Sequence, residues 1–134
     1  MIHREKRYKE KFELARERIG DVGILLGDFD NKFSRLACYK AFQELVESIF
    51  DIIAMLLKDH GKTVEDDYTN VEKLERIAIN EKDADILREA NGLRNRIIHR
   101  YNRVDDMIAK QSIENLLPHL KNLLDRLVEA SKKI

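Results

Sequence analysis

Apolar residues recur at three- and four-residue steps along most of this chain, and that spacing predicts helices. Between about Ile2 and Leu26, the positions Tyr8, Phe12, Ala15, Ile19 and Val22 form a narrow apolar stripe on an otherwise charged helix. The segment "GDFDN", with Gly27, Asp28, Asp30 and Asn31, breaks it. From about Phe33 to Asp59, Leu36, Tyr39, Ala41, Phe42, Leu45, Val46, Ile49, Phe50, Ile52, Ile53, Leu56 and Leu57 leave only a thin polar strip, so this helix is central. His60 and Gly61 end it, Gly being the usual stop and His60 being placed to interact with the helix C-terminus.

A polar loop, "KTVEDDYTN", precedes a short helix expected over about Val71 to Ile79. Asp83 is the expected cap of a fourth helix beginning near Ala84, with Ile86, Leu87, Ala90, Leu93 and Ile97 inward. Asp105 or Asp106 caps a fifth, which carries Ile108, Ile113, Leu116, Leu117, Leu120, Leu123, Leu124, Leu127 and Val128 and should kink at Pro118. The expected fold is all-α, an up-and-down bundle of about five helices in one domain spanning residues 1–134. The broad apolar surface of the central helix suggests that a second copy covers part of it, making a homodimer.

Composition agrees with helices, since only five Gly and one Pro interrupt a chain that is 37% charged and 43% hydrophobic. Lys plus Arg and Asp plus Glu balance at 25 each, so any site for a polyanion has to be local. The lone Cys38 sits between apolar neighbours and reads as a core residue in a reducing cytoplasm. No uninterrupted apolar segment stands at the N-terminus, which argues against a secretory signal, and no run approaches the roughly 20 apolar residues of a membrane span.

Chemistry concentrates in "LRNRIIHRYNRVDD". Between Arg88 and Arg103 stand Arg88, Arg94, Arg96, Arg100 and Arg103 against the single acid Glu89, a cationic stripe suited to phosphate. Arg88 and Arg103 read equally well as a solvated face, whereas Arg94, beside Leu93 and Ile97, needs an acceptor. His99 can exchange a proton near neutral pH, with the amide of Asn95 and the phenol of Tyr101 close in sequence. These groups suffice for metal-free RNA cleavage: a base takes the ribose 2′-hydroxyl proton, the oxygen attacks the adjacent phosphate, and an arginine stabilises the growing charge. On a regular helix Arg94 and His99 diverge by about 140°. Either the helix unwinds just before Tyr101, or two chains bring Arg94 of one beside His99 of the other. His3, His60 and His119 lack metal-ligand spacing, and Gly20, Gly23 and Gly27 do not make a phosphate loop, so no metal or cofactor is expected.

The phrase "RNRIIHRY" resembles the Arg-x4-His-x-Tyr signature of HEPN-domain proteins, with Asn95 directly after Arg94, Gly92 before it and Val104-Asp105 following. Together with "RLACYKAFQELVESIFDIIAMLL" and Pro118, it is similar to the HepT branch, the toxin partners of MNT-type minimal nucleotidyltransferases, over nearly the whole chain from about Phe33. The resemblance implies a dimeric helical bundle acting as a metal-independent endoribonuclease toxin in the cytoplasm. Arg94 and His99 would be its catalytic pair, Asn95 and Tyr101 its supports, and Arg96, Arg100 and Arg103 RNA contacts. It further implies that the nucleotidyltransferase antitoxin silences the toxin by adding AMP to Tyr101. Two other readings stay open: a non-catalytic helical partner that binds nucleotide or the nucleotidyltransferase, and a structural dimer whose polar cluster only satisfies a helix end.

Overall fold

In a computed structural model, which describes residues 2–99 and 105–133, the chain forms α1 (Ile2–Leu26), α2 (Lys32–Asp59), α3 (Asp67–Glu75), α4 (Glu81–His99) and α5 (Asp106–Ser131). No strand occurs among the described residues. Each break has a local cause. Asn31 caps α2, its Oδ1 accepting from the backbone N–H groups of Phe33 and Ser34 at 2.9 and 3.1 Å. At the other end Gly61 adopts φ +76°, and Lys62 N–H donates to the Leu57 carbonyl at 2.8 Å while Gly61 N–H donates to Lys58, a Schellman closure that a Cβ would strain. As expected, His60 joins this end, its Nδ1 lying 2.8 Å from the Leu56 carbonyl oxygen.

The contacts fix the directions of the helices. Tyr8 donates to Asp59, Lys11 to Asp51 and Arg18 to Glu44, so α1 runs antiparallel to α2. Tyr39 and Arg35, near the start of α2, meet Asp106 at the start of α5, and Arg126, near the end of α5, meets Asp83 at the start of α4. Hence α5 runs parallel to α2 and antiparallel to α4. The four long helices alternate up and down, and the short α3 packs against α2 and α4. The core is centred on α2, which buries thirteen residues, from Cys38 to Leu57. Tyr8, Phe12, Ala15 and Val22 of α1 pack on it, with Ile19 partly buried beside them. No helix among the described residues is long and apolar enough to cross a membrane.

Three expectations need correction. The short helix begins at Asp67, not near Val71, because Asp66 Oδ1 accepts from Thr69 N–H at 2.8 Å and the buried Asn70 amide holds both backbone groups of Glu65. Asp83 does not cap α4; Asn80 Oδ1 accepts from Asp83 N–H at 2.8 Å, and the Asp83 carboxylate turns inward to a two-pronged pair with Arg126. Leu36 and Ile108 are not inward: they are 40% and 61% exposed, both lying near the N-terminal ends of their helices. Asp105 does cap α5, and α5 continues through Pro118 without ending there.

Candidate active site

The C-terminal half of α4 is anchored by Ala90, Leu93 and Ile97, buried at three- and four-residue steps. This places Arg94 on the shoulder of the buried stripe, where its side chain is only 13% exposed. A guanidinium so placed requires acceptors. Asn91 Oδ1, three residues back on the same helix, accepts from Nη2 at 2.7 Å, and Asp67 Oδ2, in the first turn of α3, accepts from the same nitrogen at 3.3 Å. Nε donates to Asn95 Oδ1 at 3.2 Å. Among the described residues Nη1 has only the Glu47 carboxylate of α2, at 3.9 Å, an ion pair too long for a hydrogen bond. The arginine thus has one edge tied down and the other in loose electrostatic contact.

His99 is the last residue of α4 and is exposed, as are Asn95 and Arg96. Since α4 is helical from Glu81 to His99, Arg94 and His99 lie on one uninterrupted helix and point about 140° apart. Tyr101, Arg100 and Arg103 lie outside the described residues, as does Val104. Arg88 is engaged elsewhere: its guanidinium sits 4.9 Å over the Tyr68 ring and within 3.5 and 3.9 Å of Asp85 and Glu75. The cationic stripe is therefore partly neutralised by acids of α2, α3 and α4. Asp67, Glu47 and Asn91 were not singled out in the sequence. Asn91 carried a usable signal, lying three residues before Arg94 on a helix. Asp67 and Glu47 carried none, because only tertiary packing brings them there.

The motif end of the bundle also exposes apolar side chains. Ile98 is 41% exposed, Met107 68% and Phe33 78%, alongside Leu36 and Ile108. The side chains of Tyr39 and Arg35 on Asp106 join the starts of α2 and α5 at this end. A groove of about 520 Å³, lined by Arg4, Tyr8, Phe12, Arg16 and Val128 among others, lies between α1 and α5 at the opposite end. Among the described residues no group of three or more His, Cys, Asp or Glu is arranged to hold a metal ion.

Two proteins of Archaeoglobus fulgidus, each described as "Putative RNase", are 37% and 40% identical to the chain over 98% of both lengths. A third relative, from Methanocaldococcus jannaschii and also described as an RNase of that kind, is 45% identical over 67 residues, covering 49% of this chain and 77% of its own. No solved structure matches at a significant level. The family model "Ribonuclease HepT-like" matches residues 9–127, a span that takes in all of α2 to α4 and most of α1 and α5. The chain belongs to the HepT-like ribonuclease family.

Proposed function

We propose that the chain is a metal-independent endoribonuclease that works as a homodimer, with Arg94 and His99 as its catalytic pair. The observation that carries this reading is Arg94 itself, held on a half-buried shoulder of α4 with one edge of its guanidinium without a close hydrogen bond among the described residues, in a chain of a ribonuclease family. In the proposed reaction the His99 imidazole takes the proton of a ribose 2′-hydroxyl. The 2′-oxygen then bonds to the adjacent phosphorus, and the bond to the 5′-oxygen breaks with that oxygen taking up a proton. Arg94 stabilises the charge on the phosphoryl oxygens. The products are a 2′,3′-cyclic phosphate and a free 5′-hydroxyl. Arg96, Arg100 and Arg103 contribute attraction for the RNA backbone.

Two features support the dimer. Arg94 and His99 diverge along one regular helix, so a single copy does not aim both at one phosphate, and the same end of the bundle exposes Phe33, Leu36, Ile98, Met107 and Ile108. A two-fold contact there would cover the apolar residues and set Arg94 of one copy beside His99 of the other. Control through a minimal nucleotidyltransferase belongs to the same proposal: AMP added to Tyr101 would bring a phosphate that competes with RNA for Arg94, and the chain would be the toxin of that pair. A non-catalytic subunit is the alternative favoured by the carboxylates of Asp67 and Glu47, which already face Arg94.

The test is cleavage of single-stranded RNA and tRNA by the purified chain in EDTA. Cyclic phosphate ends are expected, with no cleavage of 2′-O-methyl RNA. Inhibition by chelator, or cleavage of the methylated RNA, would defeat the mechanism. Mixing inactive Arg94→Ala and His99→Ala chains should restore about a quarter of the activity, because half the dimers are mixed and each carries one intact site. No restoration would place both groups in one chain.

A further inference from the structure

We propose that Asp67, together with Asn91, is a positioning residue that holds one edge of Arg94 so that its Nη1 edge is presented to the substrate phosphate; this rests on the nuclease reading above. The argument begins with the guanidinium, a rigid planar fork whose N–H groups point in fixed directions. Nε is occupied by Asn95, and both Nη2 protons have acceptors, Asn91 at 2.7 Å and Asp67 at 3.3 Å. Among the described residues the two Nη1 protons meet no hydrogen-bond acceptor, only the Glu47 carboxylate at 3.9 Å. Once three donors are fixed, a planar group has no freedom left to rotate. The direction of Nη1 follows from the other three bonds.

Asp67 is itself well placed to act as a fixed point. Asp66 caps α3 through Thr69, and the Asn70 amide clamps the backbone of Glu65 at 2.7 and 3.1 Å, so the chain on either side of Asp67 is pinned. Glu47 differs. Its side chain is 44% exposed and approaches the Nη1 side, where a phosphate would displace it. The two acids therefore have opposite effects: Asp67 orients the arginine from behind, and Glu47 occupies the approach to its front. A long arginine side chain without such bracing would have to be ordered during each turnover, which slows the chemical step without weakening binding.

Asp67→Ala is expected to lower kcat about ten- to a hundredfold with KM unchanged or lower, because a misplaced group costs rate whereas the lost negative charge favours RNA. Asp67→Asn, whose Oδ1 still accepts from Nη2, should recover to within about threefold of the unaltered chain. A second readout needs no activity: the Arg94 Nε–Hε resonance in an NMR spectrum is expected to exchange slowly with solvent in the unaltered chain and in Asp67→Asn, and faster in Asp67→Ala. Full kcat in Asp67→Ala, a rise in KM at constant kcat, or an unmoved Arg94 resonance would each overturn the proposal. If Asp67→Ala does not fold, Asn91→Ala removes the shorter bond to the same nitrogen and carries the same test. Cleavage undiminished in Arg94→Ala would bring down the nuclease reading, while the NMR comparison would still decide whether Asp67 holds Arg94.

Discussion

Replacing the two proposed catalytic residues by alanine should affect stability very differently, and the difference separates chemistry from folding. Arg94 makes three hydrogen bonds from a side chain that is 13% exposed. At a net of about 1 kcal/mol each they sum to about 3 kcal/mol, which partial exposure to water reduces to about 2. The acids left behind, Asp67 and Glu47, are 41% and 44% exposed, so they regain water and add no buried-charge penalty. For 134 residues at about 2.1 cal/mol/K each, the unfolding entropy near the melting temperature is about 0.28 kcal/mol/K, so Arg94→Ala should lower Tm by about 7 °C. His99 is exposed at the end of α4, and even with the loss of one polar contact at about 1 kcal/mol His99→Ala should shift Tm by under about 4 °C. Scanning calorimetry of both variants, paired with cleavage assays well below the melting range, gives the comparison. Loss of cleavage in His99→Ala at unchanged Tm assigns the imidazole to chemistry. A Tm drop above about 5 °C in His99→Ala would make it structural, and an unchanged Tm in Arg94→Ala would mean that the network around Arg94 does not form in solution.

Two other outcomes follow from the surroundings of the site and from the core. Glu47→Gln removes a negative charge next to the proposed phosphate position and should tighten RNA binding about fivefold at low salt, an effect fading as salt rises; fluorescence anisotropy with a 2′-O-methyl oligonucleotide measures it, and unchanged affinity would remove Glu47 from the approach. Burial pushes the Cys38 thiol up from its ordinary 9.0 to about 11 and, with bonds to Asp59 and Asp106, raises the phenols of Tyr8 and Tyr39 above their usual range. Groups raised in this way contribute stability that is complete below about pH 9 and is lost as pH climbs toward 11 and beyond. Cys38 alone accounts for about 3 kcal/mol of that loss. Urea midpoints taken across this range should fall steeply, and Cys38→Ala should flatten part of the slope; a midpoint constant to pH 11 would contradict the burial argument.

The long helices were legible because apolar spacing reports a buried stripe directly, and α1 spans Ile2–Leu26, the range expected for it. The short α3 was displaced toward the C-terminus because its start is set by side chains of Asp66 and Asn70 bonding to nearby backbone, and in sequence these look like any polar loop. Asp83 has the right residue type for a cap, and nothing local reveals that its carboxylate instead reaches Arg126, forty-three positions away. Leu36 and Ile108 show the complementary failure: periodicity says which residues share a face, but only the arrangement of neighbours says whether that face is covered. Within the site, Arg94, Asn95 and His99 stood out as one cluster of types on one helix. What holds Arg94 was hidden, since Asp67 and Glu47 come from two other helices.

The two polar clasps on α5 bear on how the helix chooses its position. Its buried face is Ala109, Ile113, Leu116, Leu120, Leu123, Leu124, Leu127 and Ala130. A slide of one turn, about 5.4 Å, would bring Leu117 to the slot of Ile113, Leu120 to that of Leu116, Leu124 to that of Leu120 and Leu127 to that of Leu123. Over these four slots dispersion and burial barely distinguish the alignments, much as a ruler with identical marks cannot give an absolute reading, and only the ends object, with Ile113 in the slot of Ala109 and Ser131 in that of Leu127. Asp106 on Tyr39 and Arg35 at one end, and Arg126 on Asp83 at the other, are the unequal marks. They single out one alignment, and since α5 follows the motif in the chain, they also fix the point from which the segment returning to His99 must be measured. Severing both clasps should therefore leave a chain that is still helical but has more than one register, with its chemistry lost before its fold.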